Sequence, residues 1–385
     1  MNRSRAFQRF GLGLFALTGG LTAGFTGCGG GSSGATSTSA TATSAGGGAT
    51  TASSTTSSGS GGAGGEASTT ASSASSSAGT GGRGGGPACP TCIVIAELRG
   101  GSAPYGLAVD ATNVYWTNTG PQSATPPALG TVMQAKTDGT GVVTLATGED
   151  TPYAVHLAGG FVYWVSYSAA GVMRKTPIGG GAITNLVDAP AARDFVIGTS
   201  SIWWSREPDD LQSIPIDGVP PDDAGAVLLL SGNKQSNGVA ADATSVYWVN
   251  KEDGYIKRSD HDFANETPLS NGDIPWDIEV DETSMYWTER GSSPNSGKIM
   301  KASKVDGTGG VTIAVAQASP QGLTIDATHV YWGNAGNGSI LKAPLAGGAA
   351  TVLASGQGAP ANVVVDATHV YWTDPKLDLV MKIAK

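Results

Sequence analysis

The sequence predicts an all-β protein: a seven-bladed β-propeller of four-stranded antiparallel blades spanning residues 92–385. Three observations carry this. An aromatic pair recurs at Tyr115-Trp116, Tyr163-Trp164, Trp203-Trp204, Tyr247-Trp248, Tyr286-Trp287, Tyr331-Trp332 and Tyr371-Trp372. Its second members are 48, 40, 44, 39, 45 and 40 residues apart, a period that marks one propeller blade per copy. Nothing after Pro87 has the 3.6-residue apolar period of a helix. Seven of the nine tryptophans thus occupy one position of the repeat, and a catalytic residue is rarely needed seven times.

Each copy reads as four strands. The first carries apolar residues at alternate positions, as in Leu107 and Val109, Ile278 and Val280, or Leu323 and Ile325. A turn follows, "DATN", "DATS", "DETS" or "DATH", in which Asp110, Asp242, Asp281, Asp326 and Asp366 are placed to accept backbone N–H groups as Asx-turns. Ala158 and Gly198 take that position in two blades. His329 and His369 stand where other copies have Asn113, Ser201, Ser245 or Ser284. They are turn residues, not metal ligands or catalytic groups. In the second strand, "VYW", Val114 and Trp116 share one face and Tyr115 takes the other. A tryptophan wedged between blades buries roughly 150–250 Å², worth several kcal/mol at about 25 cal/mol per Å². The third strand begins after a loop of varying length ("GTVMQAKTDG", "GKIMKASKVDG"), and the fourth is a short apolar run such as "TVLAS". The last copy stops after its third strand, "LDLVMKIAK", whereas the ordered region opens on "CIVIAEL", which reads as a fourth strand. The N-terminal strand is therefore expected to complete the last blade.

Residues 1–27 read as a secretory signal, with Arg3, Arg5 and Arg9 before the short run "GLGLFALTGGLTAGFTG", too brief and glycine-broken to span a membrane. It ends on "FTGC", which resembles the lipobox of bacterial lipoproteins, with Phe25 in place of the usual Leu. The resemblance implies cleavage before Cys28 and a lipid on its sulfur, which anchors the chain to a bacterial membrane on the periplasmic or cell-surface side. Residues 28–91 are nearly all Gly, Ser, Thr and Ala, a tether with too little apolar surface to offset its ordering entropy. About 60 such residues reach roughly 45 Å. Of the three cysteines, Cys89 and Cys92 remain after Cys28. They could form a disulfide, a redox pair, half a zinc site or stay free, and an oxidising compartment favours the disulfide.

The net charge is −9, and loss of the three arginines of residues 1–27, which hold no acid, takes it to −12. Such a chain is repelled by nucleic-acid phosphates, so nucleic acid is excluded as a partner. The glycine motif "GTGGRG" has no strand before it or helix after it, and "GSSPNSGKIM" has the wrong spacing for a P-loop. A monomer is expected.

The unit "PYGLAVDATNVYWTN" with "GTVMQAKTDG" resembles the YWTD repeat of low-density lipoprotein receptor propellers across residues 92–385, with "YWTD" itself at Tyr371 to Asp374. The resemblance implies the fold. Receptor endocytosis does not transfer, because that family has six blades and flanking cysteine-rich modules. Function in such a fold is expected where the loops into strand one open around the channel. There the seven copies present Tyr105, Tyr153, Arg193, Asn237, Trp276, Gln321 and Ala361, followed by Gly106, Ala154, Asp194, Gly238, Asp277, Gly322 and Asn362. Chemical variation on a repeated scaffold position suits a binding rim, though drift of exposed loops gives the same pattern. Tyr105 and Tyr153 are expected to form one side of a stacking platform, with Trp276 across the channel.

Two functions follow: a non-enzymatic binding or scaffold module for a protein, glycan or small ligand of the cell envelope, or a divalent-ion-dependent lactonase- or lyase-like enzyme. For the second, Asp194, Asn237, Asp277 and Asn362 could gather around Ca²⁺, and His156 with Glu279 could act as an acid–base pair across the channel. The set is sparse, so the binding module is favoured, with no catalytic residue, metal or cofactor assigned.

Overall fold

The computed structural model describes residues 89–98, 100–121, 129–208, 210–218 and 228–385. The signal segment, Cys28 and the tether up to residue 88 lie outside them. The described residues form 28 strands in seven four-stranded sheets, with neighbours antiparallel, as in Leu107↔Trp116 and Thr373↔Val380. Blades 1 to 6 are each built from four consecutive strands. Blade 7 has the order Ile93–Glu97, Leu379–Ala384, His369–Asp374, Val363–Val365. The N-terminal strand is thus its outermost member, in register Ile93↔Lys382 and Glu97↔Leu379. The Asp378 carboxylate reinforces the join by accepting the N–H groups of Gly101 and Ala103 at 3.0 Å each.

The paired aromatics explain the stack. Adjacent residues of a strand face opposite sides of its sheet, so each blade offers its Trp to the blade before and the preceding aromatic to the blade after. Trp164 shares a buried cluster with Tyr115, Trp204 with Tyr163, Trp248 with Trp203 and Trp287 with Tyr247. Trp332 meets Tyr286, Trp372 meets Tyr331, and Trp116 closes the ring on Tyr371. All seven wedge tryptophans are at most 1% exposed.

A buried phenol needs a partner for its hydroxyl, and the turn aspartate supplies it. In five blades Oδ1 of the Asp accepts the N–H groups two and three residues on, while Oδ2 accepts the Tyr hydroxyl five residues on, at 2.7–2.9 Å. In blade 3 both members change together. Trp203 replaces the Tyr, and a Cβ at Gly198 would lie 2.6 Å from its ring. His329 and His369 each place Nδ1 2.7 Å from the preceding threonine hydroxyl in these turns.

Candidate binding site at the channel mouth

The innermost strands, Pro104–Val109, Pro152–Ala158, Ala192–Ile197, Ser236–Ala241, Pro275–Val280, Pro320–Ile325 and Val363–Val365, carry the rim residues at one end. Two backbone devices fix them. Two residues before six of the seven rim positions, Ala103, Thr151, Ala191, Gln235, Ile274 and Ser319 have φ between 46° and 57°, a left-handed conformation that is a true outlier for a β-branched residue such as Ile274. The carbonyl of each accepts the N–H of the residue three past its blade's tryptophan, at 2.9–3.2 Å. The strain is therefore held by the second strand, and it turns the rim side chains inward.

The second device joins blades. The Thr117 hydroxyl accepts the Gly106 N–H at 2.9 Å and donates to the Tyr153 carbonyl of the next blade at 2.7 Å. Ser205, Thr288 and Thr373 repeat this, ending on the carbonyls of Asn237, Gln321 and Tyr105. The carboxylates predicted for the rim serve the same joints. Asp194 accepts the Val239 N–H at 3.2 Å, and Asp277 accepts those of Ile278 at 3.0 Å and Leu323 at 2.9 Å. Asn362 occupies the equivalent place in blade 7, and its buried Oδ1 has no hydrogen-bond partner among the described residues. Asn237 donates its amide to the Trp276 carbonyl at 2.8 Å.

Of the nine predicted rim residues, the fold brings eight into one cavity of about 50 Å³, lined also by Ala154, Gly238, Gly322 and Ala361. Gln321 is not among its walls. A volume of this size admits a few waters or a group of a few atoms, well below the roughly 300–1,000 Å³ of a drug-sized site. The reason is that the rim closes on itself. Tyr105 stacks on Tyr153 with centroids 3.9 Å apart, and Tyr153 meets Tyr167 at 5.5 Å. The Arg193 guanidinium lies 4.6 Å from the Tyr167 ring centre, 5.9 Å from Tyr153 and 6.0 Å from Trp276. Trp276 therefore does not face the tyrosines across open space; Arg193 links them. Arg193 also donates to Glu207 at 2.6 Å, and Tyr167 donates to the other Glu207 oxygen. Burial opposes the charge on Arg193, and its hydrogen-bonded ion pair with Glu207 favours it, leaving the guanidinium's hold on its proton stronger than usual. Burial likewise raises the Tyr153 phenol well above its ordinary value.

His156 sits 3.5 Å from Asp194 and edge-on to Phe195 at 4.5 Å, so it faces blade 3. Glu279 has the same register position in blade 5, opposite Tyr286. Among the described residues no group of three or more His, Cys, Asp or Glu side chains is placed to hold a metal ion.

A second ring of site residues escaped the sequence reading. The residues three past the tryptophans are Thr119, Tyr167, Glu207, Lys251, Arg290, Ala335 and Pro375, and the first six stand beside the first ring because their N–H groups bind the strained loops. Arg290 lies 4.3 Å and Lys251 5.5 Å from the Trp276 ring centre. The signal was present: like the first ring, these positions vary at a fixed offset from an invariant residue.

No protein-family model and no curated protein sequence matches the chain. Among solved structures it is similar to the WD40 β-propeller domain of Doa1, with a TM-score of 0.59 and 11% identity over 76% of this chain and 97% of that one. It is similar to YCF48 from Cyanidioschyzon merolae, TM-score 0.54 and 12% identity over 76% and 99% of the two chains. The computationally designed Ika8 protein gives 0.52 and 14% over 76% and 99%. At such identities the likeness is one of fold.

Proposed function

We propose that this chain is an exported lipoprotein, anchored through lipid on Cys28 and the tether that follows, whose propeller acts as a binding module for a component of the bacterial envelope. The YWTD-like repeat supplies the scaffold, and the channel mouth supplies the ligand face. One observation carries the reading. Seven equivalent backbone positions at the mouth hold Tyr, Tyr, Arg, Asn, Trp, Gln and Ala, while the wedge position on the adjoining strands is Trp in every blade. Packing alone requires no such divergence, and Tyr, Trp and Arg are the side chains that dominate protein interfaces.

Two experiments test it. In a bacterium that processes lipoproteins, the mature chain should partition into the detergent phase after detergent phase separation and Cys28→Ser should stay in the aqueous phase; equal partitioning of the Ser variant removes the anchor. For the ligand face, Cys28→Ser chain is sedimented with isolated envelope fragments. Tyr153→Ala and Trp276→Ala should remain in the supernatant while His329→Ala, in the opposite-face turns, still sediments. The reverse pattern would put binding on the other face.

A further inference from the structure

The wall of the mouth around Trp276 is cationic in an acidic protein. Arg193, Arg290 and Lys251 approach one indole within 6.0, 4.3 and 5.5 Å, and the chain as a whole carries −9. Arg193 is paired with Glu207. Arg290 is in no ion pair with a described carboxylate; its Nε donates only to the neutral hydroxyl of Ser319, at 3.0 Å. Burial lowers its affinity for its proton, the mark of a charge withdrawn from water without a counter-ion. Arg290 is also the shared wall between Trp276 and a groove of about 280 Å³ on the same face, lined by Ser292, Ser293, Asn295, Ser319 and two glycines, Gly291 and Gly336. The neighbouring carboxylate, Asp273, is engaged by the N–H and hydroxyl of Ser292 at 2.8 and 3.0 Å.

From this juxtaposition we infer that the mouth takes an acidic saccharide, a uronate unit whose carboxylate pairs with Arg290 and Lys251. The proposal deepens the binding reading above and rests on it. The planar guanidinium matches a carboxylate in two parallel hydrogen bonds. The Trp276 ring, with Arg290 and Lys251 over it at 4.3 and 5.5 Å, holds the two cations side by side for that carboxylate, and the hydroxyl-lined groove, close to the lower size limit of small-molecule sites, receives the sugar hydroxyls. Beneath the rim, Asp194 and Asp277 each give one oxygen, Oδ2, to a backbone N–H of the following blade, at Val239 and Leu323. A neutral glycan would leave Arg290 without its counter-ion, and a bare phosphate would leave the hydroxyl-lined groove unfilled.

Calorimetric titration of the mature Cys28→Ser chain with hexagalacturonate, maltohexaose and sulfated maltohexaose tests the assignment. Hexagalacturonate should bind at least about tenfold more tightly than maltohexaose and weaken as salt is raised. Arg290→Gln should reduce that affinity about tenfold and Lys251→Gln about threefold, each with an unchanged melting temperature. Equal affinity for maltohexaose, or an Arg290→Gln variant that binds hexagalacturonate as well as the parent, overturns the proposal. Sulfated maltohexaose binding as tightly as hexagalacturonate overturns the carboxylate in favour of unspecific charge. If envelope fragments are still retained through Tyr153 and Trp276 while hexagalacturonate neither binds nor competes, the ligand face stands and the ligand class falls.

Discussion

The indole nitrogen of Trp287 lies 3.1 Å from Oε1 of Glu289, two residues along the same strand. In four other blades the wedge indole finds its acceptor fifteen residues earlier, on Glu149, Asn233, Gln317 or Gln357. Blade 5 has Gly272 at that place, where a Cβ would stand 2.4 Å from the Glu289 carboxylate. Glycine at one position and glutamate at the other thus form one solution to a single need, a partner for a buried N–H. Gly272→Ala should displace Glu289 and cost about 1–3 kcal/mol, read as a lower melting temperature. In a Glu289→Thr background, which has already lost the acceptor, the same substitution should cost little. Additive losses in that double-mutant cycle would refute the coupling.

Ring closure depends on seven N-terminal residues. Removing residues 92–98 strips blade 7 of its outer strand, uncovers Val380 beneath the buried Ile95 and Ala96, and leaves an unpaired edge. The expected loss is several kcal/mol or aggregation, measured by chemical denaturation against the parent. A chain beginning at residue 99 that melts normally would show the strand to be dispensable.

Acid should loosen the joint between blades 4 and 5. Burial alone would raise the Asp242 carboxyl, but hydrogen bonds from Lys304, the Thr244 N–H and Tyr247 hold it at about 2, below its ordinary 3.8. A depressed carboxyl stabilises the fold fully above its unfolded value and loses that contribution as pH falls through the folded one. Between about pH 4 and pH 2 roughly 2 kcal/mol should disappear. Lys304, 2.7 Å from Asp242 and also donating to the Asp281 carbonyl, is the handle: Lys304→Met should be less stable than the parent at pH 7, and the gap should narrow markedly near pH 2. A gap that persists undiminished at pH 2 assigns the loss to packing of the lysine stem.

Cys89 and Cys92 are joined, with Cα atoms 5.3 Å apart. The closed loop is so short that its entropy contribution is small. Reduction should therefore leave the melting temperature of the propeller nearly unchanged, while alkylation of the two thiols requires reductant. A large shift on reduction would mean that the bridge orders the closing strand.

The repeat made the fold legible. Tyr115-Trp116 and its six equivalents fix strand two of each blade, because a period of about forty with a large apolar pair on opposite strand faces can be buried only between neighbouring sheets. The turn aspartates and the exchange of N- and C-terminal strands in blade 7 were readable for the same reason: each depends on local sequence repeated against itself. Tertiary structure alone decided what the rim does. Tyr105, Tyr153, Arg193 and Trp276 are far apart in sequence and look like independent points on a circle. The strained loops and the Thr117-type hydroxyl bridges turn them inward until they touch, so that an expected open platform becomes a small, filled mouth. Arg290 and Lys251 entered the site because, in six of the seven blades, the N–H three residues past the tryptophan binds the loop before the rim. That contact spans two strands, and no short-range pattern announces which of its side chains will be left with charge and no counter-ion.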